Sequence, residues 1–412
     1  MPLRKAVRRG RVDEKLIDEA AVRVIRQKAR FHGVGESDYR RAKVACHEHT
    51  ELALEAARKG IVLLKNEKRA LPLRRDVLQR IAVIGRLADT ANIGDRGSSR
   101  VRPPYVVTPL EGIRLRSAGS VEVVYESRGN LQKAVEVAEG ADVSVVVVGL
   151  TYRDEGEYIS SWLGTGGDRE ELTLPGGQEE LIMAVAAASP CCVVVVEAGS
   201  AVVMDSWKEE VDAILYAWYP GMEGGKAIGE ALFGDFNPGG RLPVTFPRSK
   251  EQLPFFDKKA RSIKYGYYHG YRHFDREGFE PAFAFGFGLS YTEFSYSNLR
   301  LGSREVKWDG TLEISVDVEN VGEVPGDEVV QLYVGYPASK VDRPVKELKG
   351  FQRVSLEPGE KKTVTMALEP RDLAYYDAEK SSWVVEKIDY EILVGSSSRS
   401  EDLLLRGSFT VV

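Results

Sequence analysis

The sequence predicts an α/β domain built on a mostly parallel sheet sandwiched by helices, followed by an antiparallel β-sandwich. Three observations carry that expectation. Between residues 81 and 218 the apolar runs IAVIG, VEVVY, VSVVVVG, CCVVVVEAG and AILYAW recur without polar alternation and are separated by helical stretches. Such runs belong to strands covered on both faces, as in a parallel sheet between two helix layers. From Phe294 the pattern becomes period-2 strands, LEISVDVEN, EVVQLYVGY, KKTVTMALEP, SWVVE and YEILVGSS, punctuated by turns such as NVG at 320–322 and EPG at 357–359. That rhythm, with no helical periodicity, is the pattern of a β-sandwich. Finally, 412 residues exceed what one ordinary core holds, so two or three domains are expected.

Taken in order, residues 12–31 place Leu16, Ala20, Val24 and Phe31 at helical spacing, with Ile17 and Ala21 beside them, Asp13 as N-cap and Gly33 and Gly35 beyond the end. A second helix is expected around 51–60, leading into the run IVLLKN. The α/β rhythm then holds until RLPVTFP at 241–247, after which Pro, Phe, Tyr and Gly dominate as far as Tyr291. That composition marks an extended connector.

Composition narrows the function classes. Formal net charge is −5, with 43% hydrophobic and 29% charged residues, which disfavours nucleic acid and anionic membranes as partners. No stretch approaches 18 apolar residues, and the basic N-terminus MPLRKAVRRGRVDEK lacks the apolar core of a secretory signal, so a cytoplasmic location is expected. Cys46, Cys191 and Cys192 are too few and too poorly spaced for a disulfide framework.

Two loops carry the candidate chemistry. The stretch DEGEYISSWLGTGGDREELTLPGGQ follows VSVVVVG directly, where open parallel sheets bind ligands. Glu155 and Glu157 supply carboxylates, Trp162 a flat apolar wall that raises a carboxyl pKa, and Gly164, Gly166 and Gly167 sharp turns. The bland alternative is a pair of solvated loop charges with Asp168 and Arg169 as an ion pair within the loop. The second loop, NIGDRGSSRVRPP, follows IAVIG and sets Asp95, Arg96, Ser98, Ser99 and Arg100 as donors and acceptors for sugar hydroxyls, or simply as a polar turn. Neither GxxxxGK[ST] nor GxGxxG occurs, so no phosphate-bearing cofactor is expected. Asp205 and Ser206 are expected to cap a helix rather than to catalyse. His47, Glu48 and His49 lack the spacing of a helical zinc pair, so no metal is expected there. His269 and His273 read as packing residues.

These pieces resemble glycoside hydrolase family 3, the group of β-glucosidases, β-xylosidases and related exo-acting enzymes. The resemblance runs through IVLLKNEKRALPL, IAVIGRLAD, GDRGSSRVRPP with VTPLEGI, VVVVGL followed by EGE and GGDREELTLPGGQEELI, WYPGMEGGKAIGEALFGDFNPGGRLPVTFP and FGFGLSYTEF. The tail is similar to the family's fibronectin type III-like domain through VENVGEVPGDEVVQLYV, RPVKELKGFQRVSLEPGE and YEILVGSSSR. The resemblance implies four segments: 1–40, a remnant of a barrel-closing helix; 41–250, the α/β sandwich domain; 251–293, the connector; and 294–412, the fibronectin-like sandwich.

It also implies that the loop after VSVVVVG sends the general acid/base over the mouth of a neighbouring (β/α)8 barrel. Counting from Gly149 and Leu150, that residue falls at Glu157, with Glu155 as the close alternative, while Asp168 and Arg169 brace the loop. The family's SDW-type motif, which supplies the nucleophilic aspartate from the barrel, is absent; Asp205-Ser206-Trp207 has a different order and place. A retaining glycosidase needs two carboxyl groups about 5–5.5 Å apart, and this sequence offers one of them.

Two functions follow. The first is the C-terminal part of a retaining β-glucosidase or β-xylosidase that hydrolyses terminal non-reducing β-linked sugars. Its nucleophile comes from a barrel in another chain or an upstream sequence, and its partners are a β-linked oligosaccharide or glycoside and that barrel chain, or else further copies of itself. The helix at 12–31, with its unpartnered apolar face, favours this reading. The second is a non-catalytic carbohydrate-binding or scaffolding protein, favoured by Met1 as a start and by the complete α/β and β domains.

Overall fold

All five runs between 81 and 218 fold as strands of one sheet. A computed structural model of the chain describes residues 2–32, 43–94, 99–117, 119–127, 129–156, 169–257 and 259–412. They divide into two units, Met1–His49 and Thr50–Val412. The first holds helices α1 (Pro2–Arg8) and α2 (Glu14–Arg30). The α2 helix starts where the sequence places it, because the Asp13 carboxylate accepts the Lys15 backbone N–H at 3.0 Å and satisfies one donor that the first turn leaves open. Its apolar residues Leu16, Val24, Ile25 and Phe31 are exposed. Gly33 and Gly35 lie outside the described residues.

In the second unit, α3 (His47–Gly60) leads into β1 (Val62–Asn66), and the chain then runs β2 (Arg80–Ile84), α4 (Pro109–Ser117), β3 (Glu122–Glu126), α5 (Leu131–Glu139), β4 (Val143–Gly149), the single turn α6 (Tyr152–Glu155), α7 (Gln178–Ala188), β5 (Cys192–Glu197), β6 (Ala213–Tyr216) and α8 (Gly224–Phe233). Sheet order is β1-β6-β5-β4-β2-β3; β1 is antiparallel to β6 and the other pairs are parallel. Alternation along β4 sends Val146 and Val148 into a core with Leu181 and Val185 of α7, and Val143, Val145 and Val147 into a second core with Ile113 of α4 and Ile228 of α8. Both faces are covered, as the unbroken valine runs require. On one face α4 and α8 touch backbone to backbone: a Cβ on Gly112 would lie 1.7 Å from the Gly225 carbonyl oxygen, so only glycine permits the approach.

Within 241–291, expected to be an extended connector, Leu242, Phe246, Phe274 and Ala284 are buried in a seam, whereas most described residues from 255 to 269 are exposed and form no helix or strand. Helix α9 (Tyr271–Glu277) forms between Gly270 and Gly278, and isolated bridges tie Phe246 to Phe283 and Leu63 to Leu289. Seven residues between two glycines give too short a helical period to stand out from a sequence crowded with aromatics. Beyond it come β7 (Phe294–Leu301), β8 (Glu305–Val306), β9 (Leu312–Asn320), β10 (Gly326–Gly335), β11 (Lys346–Leu356), β12 (Lys361–Leu368), β13 (Tyr375–Asp377), β14 (Ser382–Val384), β15 (Asp389–Gly395) and β16 (Leu405–Val411). A β11-β10-β15-β16-β8 sheet faces a β12-β9-β7 sheet over a core that includes Ile314, Val316, Leu332, Tyr390 and Phe409, while β13 and β14 form a separate hairpin. Cys46, Cys191 and Cys192 are free thiols, and burial pushes the Cys191 thiol up to about 11.

Candidate active site

The order of the sheet reverses between β2 and β4, and the crevice beyond their carboxyl ends is where open α/β sheets bind ligands. A cavity of about 500 Å³ opens there, lined among others by Gly85, Arg86, Ser127, Gly149, Thr151 and Gln178. The loop singled out in the sequence starts at its edge. Gly149 adopts φ 148°, and a Cβ on it would sit 1.8 Å from the Glu197 carbonyl oxygen, so glycine is needed where β4 leaves the sheet beside β5. Gln178, the first residue of α7, clamps the same glycine with its side-chain amide. Its Oε1 accepts Gly149 N–H at 2.8 Å, and its Nε2 donates to the Gly149 carbonyl at 2.9 Å. Both ends of the 150–177 excursion are thereby closed on one backbone unit.

Thr151 then starts α6 with a capping box, in which Asp154 accepts the Thr151 backbone N–H at 2.8 Å. This single turn aims Glu155 back at the end of β5. Its carboxylate accepts Gly199 N–H at 2.6 Å, the Ser200 hydroxyl, and the Tyr219 hydroxyl at 2.7 Å, and Arg169 Nη1 lies 3.5 Å away. Arg169 Nη1 also donates to Ser200 Oγ at 2.8 Å and to the Ala201 carbonyl at 2.7 Å. Ser200 thus donates to the residue entering the undescribed part of the loop and accepts from the residue leaving it. A carboxylate offers about four lone-pair sites, and here three hydrogen bonds use most of them.

Tyr219 is held in turn by its neighbours. Trp218 takes a φ of 59°, rare for a bulky side chain, and its ring meets Tyr216 edge-on at 4.8 Å. Gly94, from the second candidate loop, lies against the Tyr219 ring, since a Cβ there would be 3.7 Å from it. Burial raises the Tyr219 phenol above its ordinary value, and the hydrogen bond to Glu155 adds to the shift. The phenol therefore stays protonated as a donor.

A second polar stitch joins the loops. Asn92 Nδ2 donates to the Leu150 carbonyl at 2.9 Å and to Glu197 Oε2 at 3.1 Å. Glu197 ends the valine strand β5 and is buried, which pushes its carboxyl up to about 8 against the opposing pull of Asn92. A glutamate closing CVVVVE was the visible signal for this site, and sequence reasoning passed over it, as it did Asn92, Ser200 and Tyr219.

Of the residues proposed from sequence, the structure brings Glu155 and Arg169 together through Ser200. Ser99 and Arg100 are exposed on the other loop. Asp95, Arg96, Ser98, Glu157, Trp162 and Asp168 lie outside the described residues. Asp205 does not cap a helix: the 3-10 turn Lys208–Glu210 starts after Trp207, and the Asp205 carboxylate instead receives Lys208 Nζ at 2.6 Å and Arg248 Nη1 at 3.4 Å. His273 packs edge-on against Phe279 at 5.8 Å, whereas His269 is exposed. Among the described residues no cluster of three or more His, Cys, Asp or Glu could hold a metal ion, and no helix is long and apolar enough to cross a membrane.

Comparison with known proteins places this geometry. Residues 61–291 match the Glycosyl hydrolase family 3 C-terminal domain, and residues 328–398 a Fibronectin type III-like domain. The chain is 36% identical to Thermostable beta-glucosidase B of Acetivibrio thermocellus over 99% of its own length and 54% of that protein's. It is 35% identical to a Beta-xylosidase of Formosa agariphila, covering 94% of this chain and 54% of the relative. The solved Beta-D-glucoside glucohydrolase from Trichoderma reesei superposes with a TM-score of 0.89 at 30% identity, covering 100% of this chain and 62% of that one. Beta-glucosidase 3B from Thermotoga neapolitana gives a TM-score of 0.85 at 30% identity, covering 100% and 60%. The chain therefore spans about half the length of the curated relatives it matches. Switch-point crevice, clamped loop and trailing sandwich occur together in a chain that belongs to glycoside hydrolase family 3.

Proposed function

We propose that this chain forms the acid/base half of a retaining β-glycosidase acting on terminal β-linked glucosides or xylosides, with Glu157 as the proton donor. The observation that carries the reading is the anchor at Ser200. Glu155 accepts three hydrogen bonds from the scaffold at Gly199, Ser200 and Tyr219, so its role is to position. Gly156, buried directly after it, hands the chain on to Glu157, one residue beyond the last fixed point. A general acid must reach a substrate oxygen, which Glu155, already accepting three hydrogen bonds, is poorly placed to do, so the assignment passes to Glu157. Names of the relatives, a beta-glucosidase and a beta-xylosidase among them, support the substrate class.

The nucleophile is assigned to a (β/α)8 barrel, either upstream in the same polypeptide or in a separate chain. Exposed Leu16, Val24, Ile25 and Phe31 on α2 give that barrel an apolar face to close upon. The chain is placed in the cytoplasm, in keeping with its free thiols.

The test is reconstitution with the barrel and assay of nitrophenyl and alkyl β-glycosides. Glu157→Ala should abolish turnover of alkyl glycosides, whose leaving oxygen needs a proton, while glycosyl-enzyme formation from an activated aryl glycoside persists. Azide should then partly restore turnover by replacing the missing base. That pattern in Glu155→Gln instead, with Glu157→Ala silent, would exchange the two roles.

A further inference from the structure

The β-sandwich holds a concavity of its own. It measures about 520 Å³ and is lined by Trp308, Arg371, Asp372, Trp383, Val385 and Lys387, with Ala374 beside them. Two tryptophans on one groove are unusual in their exposure, 61% for Trp308 and 71% for Trp383. Leaving each in water forgoes about 2 kcal/mol of burial, so the pair is not a remnant of core packing. Trp308 sits in the turn between β8 and β9. Trp383 stands on the β13–β14 hairpin, where its cross-strand partner Tyr376 meets it edge-on at 5.5 Å and fixes its ring.

The polar groups are equally distinctive. Asp372 is held by its backbone, which donates to the Glu369 carbonyl at 2.9 Å and accepts Lys349 Nζ at 2.9 Å, yet among the described residues its carboxylate has no partner. The Lys387 ammonium has none either. Arg371 is occupied by Glu369. Val385 packs on the sandwich core and gives the groove a rigid floor.

Flat aromatic faces beside an unpaired acceptor and an unpaired donor complement an amphipathic ring. A pyranose presents polarised C–H groups on its face, which the negative π-cloud of indole attracts, and hydroxyls on its rim, which accept from an ammonium and donate to a carboxylate. An anionic ligand is disfavoured, because the one free cation is matched by the free Asp372. The volume lies within the range of small-ligand pockets, roughly 300–1,000 Å³.

We propose that this groove is a non-catalytic binding site for a short stretch of β-linked glycan, with sugar rings stacked on Trp308 and Trp383 and hydroxyls read by Asp372 and Lys387. The choice of sugar class rests on the glycosidase reading above; the binding itself does not require turnover. Such a site would hold the enzyme on a polymer while the site completed by the barrel acts on chain ends.

The experiment titrates cellotetraose and xylotetraose into the 412-residue chain, read by calorimetry and tryptophan fluorescence. At least one tetraose should bind, and Trp308→Ala and Trp383→Ala should each weaken it about tenfold, a change of about 1.4 kcal/mol. Trp383→Phe should retain part of the affinity, and Asp372→Asn should lose less than either tryptophan variant. Both tryptophans are exposed, so unchanged melting temperatures will show the variants folded. Glu157→Gln should leave this binding intact, which separates failure of the groove from failure of the catalytic assignment. The proposal is overturned if neither tetraose binds at millimolar concentration, or if binding survives the double tryptophan variant. It is equally overturned if that double variant abolishes a concentration-dependent dimer, since a second copy then covers the groove.

Discussion

Two buried polar networks in this molecule end differently. In the seam between the α/β domain and the β-sandwich, Arg241 Nη2 meets Glu328 Oε1 at 2.8 Å, with both side chains almost wholly buried. Lys346 Nζ is gripped by both Asp275 oxygens at 2.7 Å, and Gln331 Nε2 donates to the Gly286 carbonyl at 3.0 Å. Each partner faces another seam residue across the join, so the network locks two domains and points nowhere else. At the ends of β4 and β5 the network of Gln178, Glu155, Ser200, Arg169 and Tyr219 stays within the α/β domain, closes on backbone groups of Gly149, Gly199 and Ala201, and leaves Arg169 Nη2 buried without a partner among the described residues. One network joins two domains; the other fixes Glu155 and Arg169, the residues that flank positions 156–168. The same chemistry thus yields stability in one place and geometry in the other.

The sharpest way to break the comparison is to remove one member of the seam pair. Glu328→Ala leaves the Arg241 guanidinium buried and unpaired, and should cost about 3–5 kcal/mol of stability in chemical denaturation. Activity per folded molecule in the reconstituted enzyme should not change. A large fall in kcat with stability intact would show that the seam also carries the site.

Glu197 sharpens the contrast through pH. Its carboxyl is raised by burial to about 8 from an ordinary 4.5, so it is protonated in the fold at neutral pH while the unfolded chain is already ionised. Its contribution is fully present below the unfolded pKa and is lost as pH rises through the folded one, a decline on the order of 5 kcal/mol between pH 4.5 and 8. Glu197→Gln should flatten that slope in melts taken across the window. A variant whose slope matches the wild type would assign the titration elsewhere.

Glu155→Ala attacks the loop anchor. It should reduce kcat of the reconstituted enzyme about 100-fold, or about 2.7 kcal/mol, by releasing the segment that carries Glu157. KM should move little, and melting should fall far less than for Glu328→Ala. Azide should not rescue it, which distinguishes an anchor from an acid/base. The smallest effect is expected for Tyr219→Phe, which deletes one hydrogen bond to Glu155 and should cost about 1 kcal/mol in either stability or kcat.

The strands β2 to β6 and the sandwich strands were legible because burial on two faces writes continuous valine runs and burial on one face writes alternation. The Asp13 cap of α2 was legible because capping is local: acceptor and donor lie two residues apart. The candidate site was legible only in outline. Placement after a buried strand pointed to the loop that Gln178 clamps, and the residue types pointed to Glu155 and Glu157 without choosing between them.

What the sequence by itself determined, then, was everything that depends on neighbours along the chain: the order of elements, the layers and the motifs of the family. What only the tertiary structure decided was which side chains meet across distance. Glu155 finds Ser200 and Tyr219 at separations of 45 and 64 residues, and Asn92 finds Glu197 at 105. Helix α9 is tied to the sandwich through Asp275, which accepts the ammonium of Lys346 from 71 residues away. Trp308 and Trp383 share a groove although 75 positions part them in the chain. Periodicity records which face of an element is buried, but it carries no register between elements; that register comes from packing two faces together, and it alone brought Glu155 to Ser200 and Tyr219.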